Sequence, residues 1–149
     1  MAITAVLDTN ILLNAKNANE PNSRHSLQIL DAVEDGSIQG IISVVSIAEL
    51  CTGYYYQGDT KGKEELLAHL ISTKGFVIAD LNIETADAAA KIRADTGLRL
   101  PDAIIIATGL AKGARYLVTH DSELKKANRY LEAISSKEIL NRFKHARKK

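Results

Sequence analysis

Tryptophan is absent from this 149-residue chain, cysteine and methionine occur once each, and proline occurs twice. The lone Cys51 cannot close an internal disulfide, which excludes a small disulfide-held secreted scaffold and makes a reducing compartment, the cytoplasm, the expected setting. Two prolines and nine glycines exclude collagen-like and low-complexity chains, and a 46% hydrophobic content excludes intrinsic disorder. No apolar run approaches the roughly 18 residues of a membrane span, and Met1 to Asn10 has no basic stretch ahead of an apolar core, so neither a span nor an export leader is expected. A chain of this size buries about 68–70% of its unfolded surface, so its core needs no metal or disulfide and any metal would be there for chemistry.

Charge makes up 25% of the residues, and the net value of +1 hides an asymmetry. Six Lys or Arg residues (Lys137, Arg142, Lys144, Arg147, Lys148, Lys149) stand against Glu138 at the carboxyl end, a local balance of +5 that leaves −4 for residues 1–136. A basic tail on an acidic body suits a polyanion meeting cation-loaded carboxylates. A solvated terminus is the plainer reading of the same run.

Along the chain, Ile3 to Leu7 is a short apolar run closing on Asp8, Thr9 and Asn10, a strand that ends in a turn or helix start. Asn22 and Ser23 cap a helix carrying Ile29, Leu30 and Val33, which Gly36 stops. Ile38 to Ser43 reads as a second strand, and Ser43 starts a helix that passes through Glu49 and Leu50. Thr60 opens another helix, with Leu66, Leu67, Leu70 and Ile71 as its stripe. Phe76 to Ala79 is a third strand. The helix after it, Ile83 to Thr96, ends at Gly97 and places Ile83, Ala86, Ala90 and Ala94 on one face. Beyond Pro101, Asp102 stands at a cap position before Ala103 to Ala111, which is apolar nearly all round, as a central buried helix should be. Arg115 to Thr119 is a strand that runs out at Asp121. A short helix, a final strand at Tyr130 to Ile134 and a basic helix with Ile139, Leu140 and Phe143 on one side complete the chain. Strands alternating with helices predict a parallel sheet covered on both faces, because parallel strands need long crossovers.

Ligands of open α/β sheets bind beyond the carboxyl ends of the strands, near the point where strand order reverses. Asp8 and Asp121 fall at or just past strand ends, Asp102 begins the buried helix, and Glu49 lies in the helix after the second strand. Four acids distant in sequence would then meet at one sheet edge. Crowded there, they repel one another, and a divalent cation removes that cost. Oxygen-only donors suit Mg²⁺ or Mn²⁺. His25, His69, His120 and His145 show no paired spacing, and with one cysteine they do not make a zinc site. Each acid taken singly has a duller reading: Asp8, Asp102 and Asp121 as helix or turn caps, Glu49 as a solvated helix residue that its apolar neighbours Val45, Ile47, Ala48 and Leu50 discourage from full exposure. Pattern alone leaves both readings open.

The segments AVLDTNILL (Ala5 to Leu13), SVVSIAEL (Ser43 to Leu50), GLRLPDAIIIAT (Gly97 to Thr108) and YLVTHDSEL (Tyr116 to Leu124) resemble, in order and spacing, the motifs of PIN-domain nucleases. The resemblance spans nearly the whole chain. It implies one PIN domain over residues 1–149, a three-layer α/β/α fold around a mainly parallel β-sheet, and a basic helix or tail at about 137–149. It also implies a Mg²⁺- or Mn²⁺-dependent endoribonuclease that hydrolyses RNA phosphodiester bonds, and carries the family's metal-binding acids onto Asp8, Glu49, Asp102 and Asp121. Asn10 and Thr119 match accessory polar positions, and Glu123 stands where the family more often has Asp. The compact size looks like the toxin of VapBC-type toxin–antitoxin pairs, which implies a homodimer and a small inhibitory antitoxin. PIN domains that process RNA without being toxins share the same motifs, as would a non-catalytic binding module on this fold.

Arg93 and Arg99 flank the approach to Asp102 and are candidate RNA phosphate contacts, with surface ion pairing, for Arg93 with Glu34 or another acid, as the alternative. Tyr54, Tyr55 and Tyr56 either stack on bases or pack, and three in a row cannot all face one way, so at least one is expected to turn inward. Cys51 reads as a small buried hydrophobe. Two phosphoryl-handling classes are disfavoured: Asn10 breaks the Asp-x-Asp of haloacid-dehalogenase-type phosphatases, and the acidic pair near the start of a receiver domain is absent.

Overall fold

The computed structural model describes residues 2–147; Met1, Lys148 and Lys149, the last two the end of the basic tail, lie outside the described residues. In chain order the elements are β1 (Ile3–Leu7), α1 (Thr9–Lys16), α2 (Ser23–Glu34), β2 (Ile38–Ser43), α3 (Val44–Tyr56), α4 (Thr60–Ser72), β3 (Phe76–Ala79), α5 (Ile83–Thr96), α6 (Leu100–Ala111), β4 (Tyr116–Val118), a 3-10 helix (Ser122–Ala127), β5 (Glu132–Ile134) and α7 (Ser136–Arg147). Among the described residues the strands form a five-stranded sheet of order β3-β2-β1-β4-β5, parallel throughout. In the register of the centre, Val6 of β1 faces Ile41 of β2 on one side and Leu117 of β4 on the other.

Side chains alternate across this sheet and divide the core in two. Ala5, Leu7, Ile38, Ile42, Tyr116 and Val118 pack with Ile11, Ile29, Val33, Leu50, Leu70 and Ile139 of α1, α2, α3, α4 and α7. Val6, Ile41 and Leu117 pack instead with Ala89 and Ile92 of α5 and Ala103, Ile106 and Ala107 of α6. Both faces are covered, the predicted three-layer α/β/α arrangement, and for that reason the strands read as continuous apolar runs. Among the described residues no helix is long and apolar enough to cross a membrane.

Local chemistry sets several boundaries as the sequence indicates. Ser43 Oγ accepts the Val45 N–H at the start of α3, Asn82 Oδ1 accepts the Thr85 N–H at the start of α5, and Gly97 ends α5 with φ +73°. Four expectations need correction. On α5 the buried residues are Thr85, Ala89 and Ile92, whereas Ile83 is 88% exposed and Ala86, Ala90 and Ala94 face solvent. Alanine buries too little area to orient a helix, and the single large buried anchor, Ile92, decides the face. On α4, Leu66 and Leu70 are buried but Ile71 is exposed. At α6, Arg99 is the N-cap and Asp102 lies inside the first turn, because Pro101 is accommodated there without losing a helical hydrogen bond. The strands at Tyr116–Val118 and Glu132–Ile134 are also shorter than their apolar runs.

The approach of α6 to β1 is unusually close. A Cβ on Gly109 would stand 2.6 Å from Val6 Cγ1 and 2.9 Å from Val6 Cβ, so the absence of a side chain sets the spacing between these layers. Gly109→Ala is expected to push α6 outward and lower stability by about 1–3 kcal/mol. Denaturant unfolding checks this, and an unchanged midpoint would contradict it.

Candidate active site

The chain reaches β2 and β3 on one side of β1 before it returns to β4 on the other, so strand order reverses between β1 and β4. Asp8 follows β1 directly, and its N–H donates to Val118 O at 3.0 Å. Thr119 follows β4 and donates its own N–H to Ile134 O at 3.0 Å. The two residues are thereby fixed side by side at the carboxyl edge. Thr119 Oγ1 donates to Asp8 Oδ2 at 2.8 Å and accepts the Asp121 N–H at 3.0 Å. One hydroxyl thus joins Asp8 to a segment 111 residues away.

Capping accounts for these acids unequally. Asp8 occupies the N-cap position of α1 but its side chain makes no capping bond. Asp121 Oδ1 does cap, accepting the Glu123 N–H at 2.9 Å. Asp102, buried in the first turn of α6, accepts from Arg99 Nε at 3.2 Å. Glu49 is exposed on α3, against the expectation from its apolar neighbours: Leu50 alone of them is buried, Val45 and Ile47 are half-buried, and Ala48 is exposed beside it. Its Oε1 lies 2.7 Å from Thr9 Oγ1, which is 2.8 Å from Ser46 Oγ. With one proton to give, Thr9 donates to the carboxylate and accepts from Ser46.

Electrostatics ties the set together. Burial raises the Asp8 carboxyl from its usual 3.8 to about 6; the Thr119 hydrogen bond pulls it down, while the charges of Asp102 and, less strongly, Asp121 push it up. Arg99 is the basic group in this field: its hydrogen bond to Asp102 holds its proton most strongly, and the charges of Glu49 and Asp121 add to that hold.

The remaining candidates scatter. Asn10 is exposed on α1, and Glu123 is exposed and paired with Lys126 at 2.8 Å. Arg93 is exposed on α5, and Glu34, its suggested partner, lies instead against His69 at 3.1 Å. Tyr54 packs partly on the core with Lys16 Nζ 4.4 Å over its ring, while Tyr55 and Tyr56 are exposed. Cys51 is half-buried rather than enclosed.

Sequence reasoning passed over Thr9, Ser46 and His120. Ser46 is three residues before Glu49 on one helix, a spacing that signals contact. His120 carried no such signal, since Asn14 Nδ2 at 2.9 Å and Ser136 Oγ at 2.6 Å are long-range partners. Burial lowers the proton affinity of this ring, which is assigned here as neutral with Nδ1 accepting from Asn14 and Nε2–H donating to Ser136.

The donor set is oxygen-only, and Asp8 bears a desolvation cost that a hard cation would relieve, so its chemistry fits Mg²⁺ or Mn²⁺. Among the described residues no three His, Cys, Asp or Glu side chains form a ligating cluster as they stand. Each of the four acids instead commits one oxygen to a partner named above, and each carboxylate has two. Cavity size does not mark this edge: a space of about 790 Å³ lined by Ile78, Asp80, Asn82, Thr108 and Lys112 lies elsewhere, against about 150 Å³ beside Thr119 and Asp121.

The family model of the PIN domain matches residues 5–130, and the chain belongs to this family. No curated protein matches the sequence. Solved structures share the fold at low identity. A toxin–antitoxin complex from Klebsiella pneumoniae matches at 23% identity and TM-score 0.67, over 89% of this chain and 97% of that one. VapBC2 from Rickettsia felis, bound to a promoter DNA fragment, matches at 20% and 0.70, over 89% and 98%. VapC20 from Mycobacterium tuberculosis, a toxin that cleaves the sarcin–ricin loop, matches at 13% and 0.68, over 83% and 94%.

A carboxyl raised to about 6 means that the folded chain holds this proton more tightly than the unfolded chain does. That stabilisation is complete below the unfolded value near 3.8 and disappears as pH rises through about 6, a change of about 3 kcal/mol. In a chelator-containing buffer the wild type should therefore lose stability between pH 4 and pH 7 relative to Asp8→Asn. Parallel stability curves for the two proteins would refute the burial cost assigned to Asp8.

Proposed function

We propose that this chain is a Mg²⁺- or Mn²⁺-dependent endoribonuclease, a single PIN domain that acts in the cytoplasm as the toxin of a VapBC-like toxin–antitoxin pair. The observation that carries this reading is the meeting of buried Asp8 with Asp102 and Asp121 at the reversal between β1 and β4, close enough for their charges to raise the Asp8 carboxyl. Asp8, Glu49, Asp102 and Asp121 are the residues that would hold the ion. Bound there, a divalent cation lowers the pKa of water and neutralises charge developing on the phosphate.

The chain's own groups do the rest. Thr119 fixes the rotamer of Asp8 and the backbone of Asp121 with the same hydroxyl. Thr9 holds Glu49 toward α1. Arg99 and Arg93 offer donors to RNA phosphates, and the basic residues of the 137–149 segment would add attraction for a polyanion. Asn10 and Glu123 would be accessory positions, although both are exposed and Glu123 is paired with Lys126. No side-chain nucleophile is needed. The toxin assignment and a small antitoxin partner are supported by solved structures of like fold that are themselves toxin–antitoxin complexes, and a homodimer is proposed with them.

Asp8→Ala and Asp102→Asn should each reduce Mn²⁺-stimulated RNA cleavage at least about a hundredfold with an unchanged circular dichroism spectrum. Cleavage equal to wild type in both variants would overturn the nuclease reading, and RNA affinity without turnover under any metal would replace it with a binding module. Separately, induced expression should arrest growth, and co-expression of a neighbouring small reading frame should relieve the arrest. Arrest that persists in Asp102→Asn would sever toxicity from cleavage.

A further inference from the structure

We propose that Arg99 is a resident counter-ion of the acidic site, occupying the Asp102 carboxylate until a divalent cation displaces it. This rests on the metal-dependent reading above and adds a residue with a defined task to it.

The argument starts from an imbalance between the two partners. The Asp102 side chain is 11% exposed, whereas that of Arg99 is 74% exposed. A buried carboxylate beside two further acids needs opposite charge nearby, so Asp102 depends on this contact. The guanidinium does not, because water solvates most of it already. Contact runs through Nε at 3.2 Å, longer than the roughly 2.7–2.9 Å of a strong charge-assisted bond. Arg99 is also the N-cap of α6, where its backbone is set by the helix start while most of its side chain lies in solvent. The charges of Glu49 and Asp121 reach it as well, so three of the four acids hold one cationic group. A hard cation entering among the same oxygens competes with Arg99 for Asp102, and the displaced side chain moves into solvent without repacking the core.

Competition has a measurable signature apart from catalysis. Exposed ion pairs are weak, so removing the competitor in Arg99→Gln should tighten Mn²⁺ binding by about 2- to 5-fold in calorimetric titration of the metal-stripped protein. Arg99→Lys keeps the charge but loses Nε, and should fall between the two. In wild-type protein labelled with ¹⁵N, the Arg99 Nε–H resonance should shift toward that of a solvated arginine as Mg²⁺ is added, and should already sit there in Asp102→Asn. Equal or weaker Mn²⁺ binding by Arg99→Gln, with wild type binding normally, would overturn the counter-ion role and leave the nuclease reading standing. Failure of wild type and both Arg99 variants to bind Mn²⁺ would overturn the two together.

Discussion

Most of what distinguishes this molecule follows from the cost of keeping a charge at Asp8. The residue emerges from the central strand, is anchored through its backbone to the neighbouring strand, and has little access to water. Its negative form is supported by the Thr119 hydroxyl and opposed by burial and by two other acids. A side chain retained under such opposition is a departure from the agreement of apolar burial and packing that builds both layers of the core. Buried acids held against such opposition are more frequent at functional sites, and this one coincides with the reversal of strand order.

The framework around Asp8 is correspondingly rigid. Val6 precedes it by two residues on β1 and is pressed against Gly109 of α6, the helix that carries Asp102. Two of the acids are therefore borne by elements locked together through backbone-close packing. Glu49 stands on different mechanical ground: it lies on the exposed side of α3 and is steadied by hydroxyl contacts with Thr9 rather than by burial.

Much of this architecture is legible in the sequence because parallel strands buried on both faces leave continuous apolar runs, and because Ser43, Asn82 and Gly97 declare helix ends chemically. The adjacency of Asp8 and Thr119 follows from strand-end positions plus the rule for open sheets. Other features depend on information that periodicity does not hold. The alanines of α5 look like a core face because their apolar character is counted and their small area is not. The start of α6 moves to Arg99 because proline tolerates the first turn, and that one shift turns Asp102 from a cap into an inward carboxylate with an arginine beside it. The His120 contacts join segments that no local pattern connects. At the low identity of the structural neighbours, shared fold says nothing of these particular contacts, which belong to this chain's own residues.

The hydroxyl of Thr119 also has a bearing on when the edge comes into being. Its partner Asp8 lies 111 residues earlier, and His120 reaches back 106 residues to Asn14. During synthesis the first acid leaves the ribosome long before the strand that completes its surroundings, so a partly made polypeptide carries Asp8 with none of its late neighbours. A product that stops short of β4 therefore lacks Thr119 and Asp121, and its Asp8 carboxylate stands without the hydroxyl that holds it in the folded chain.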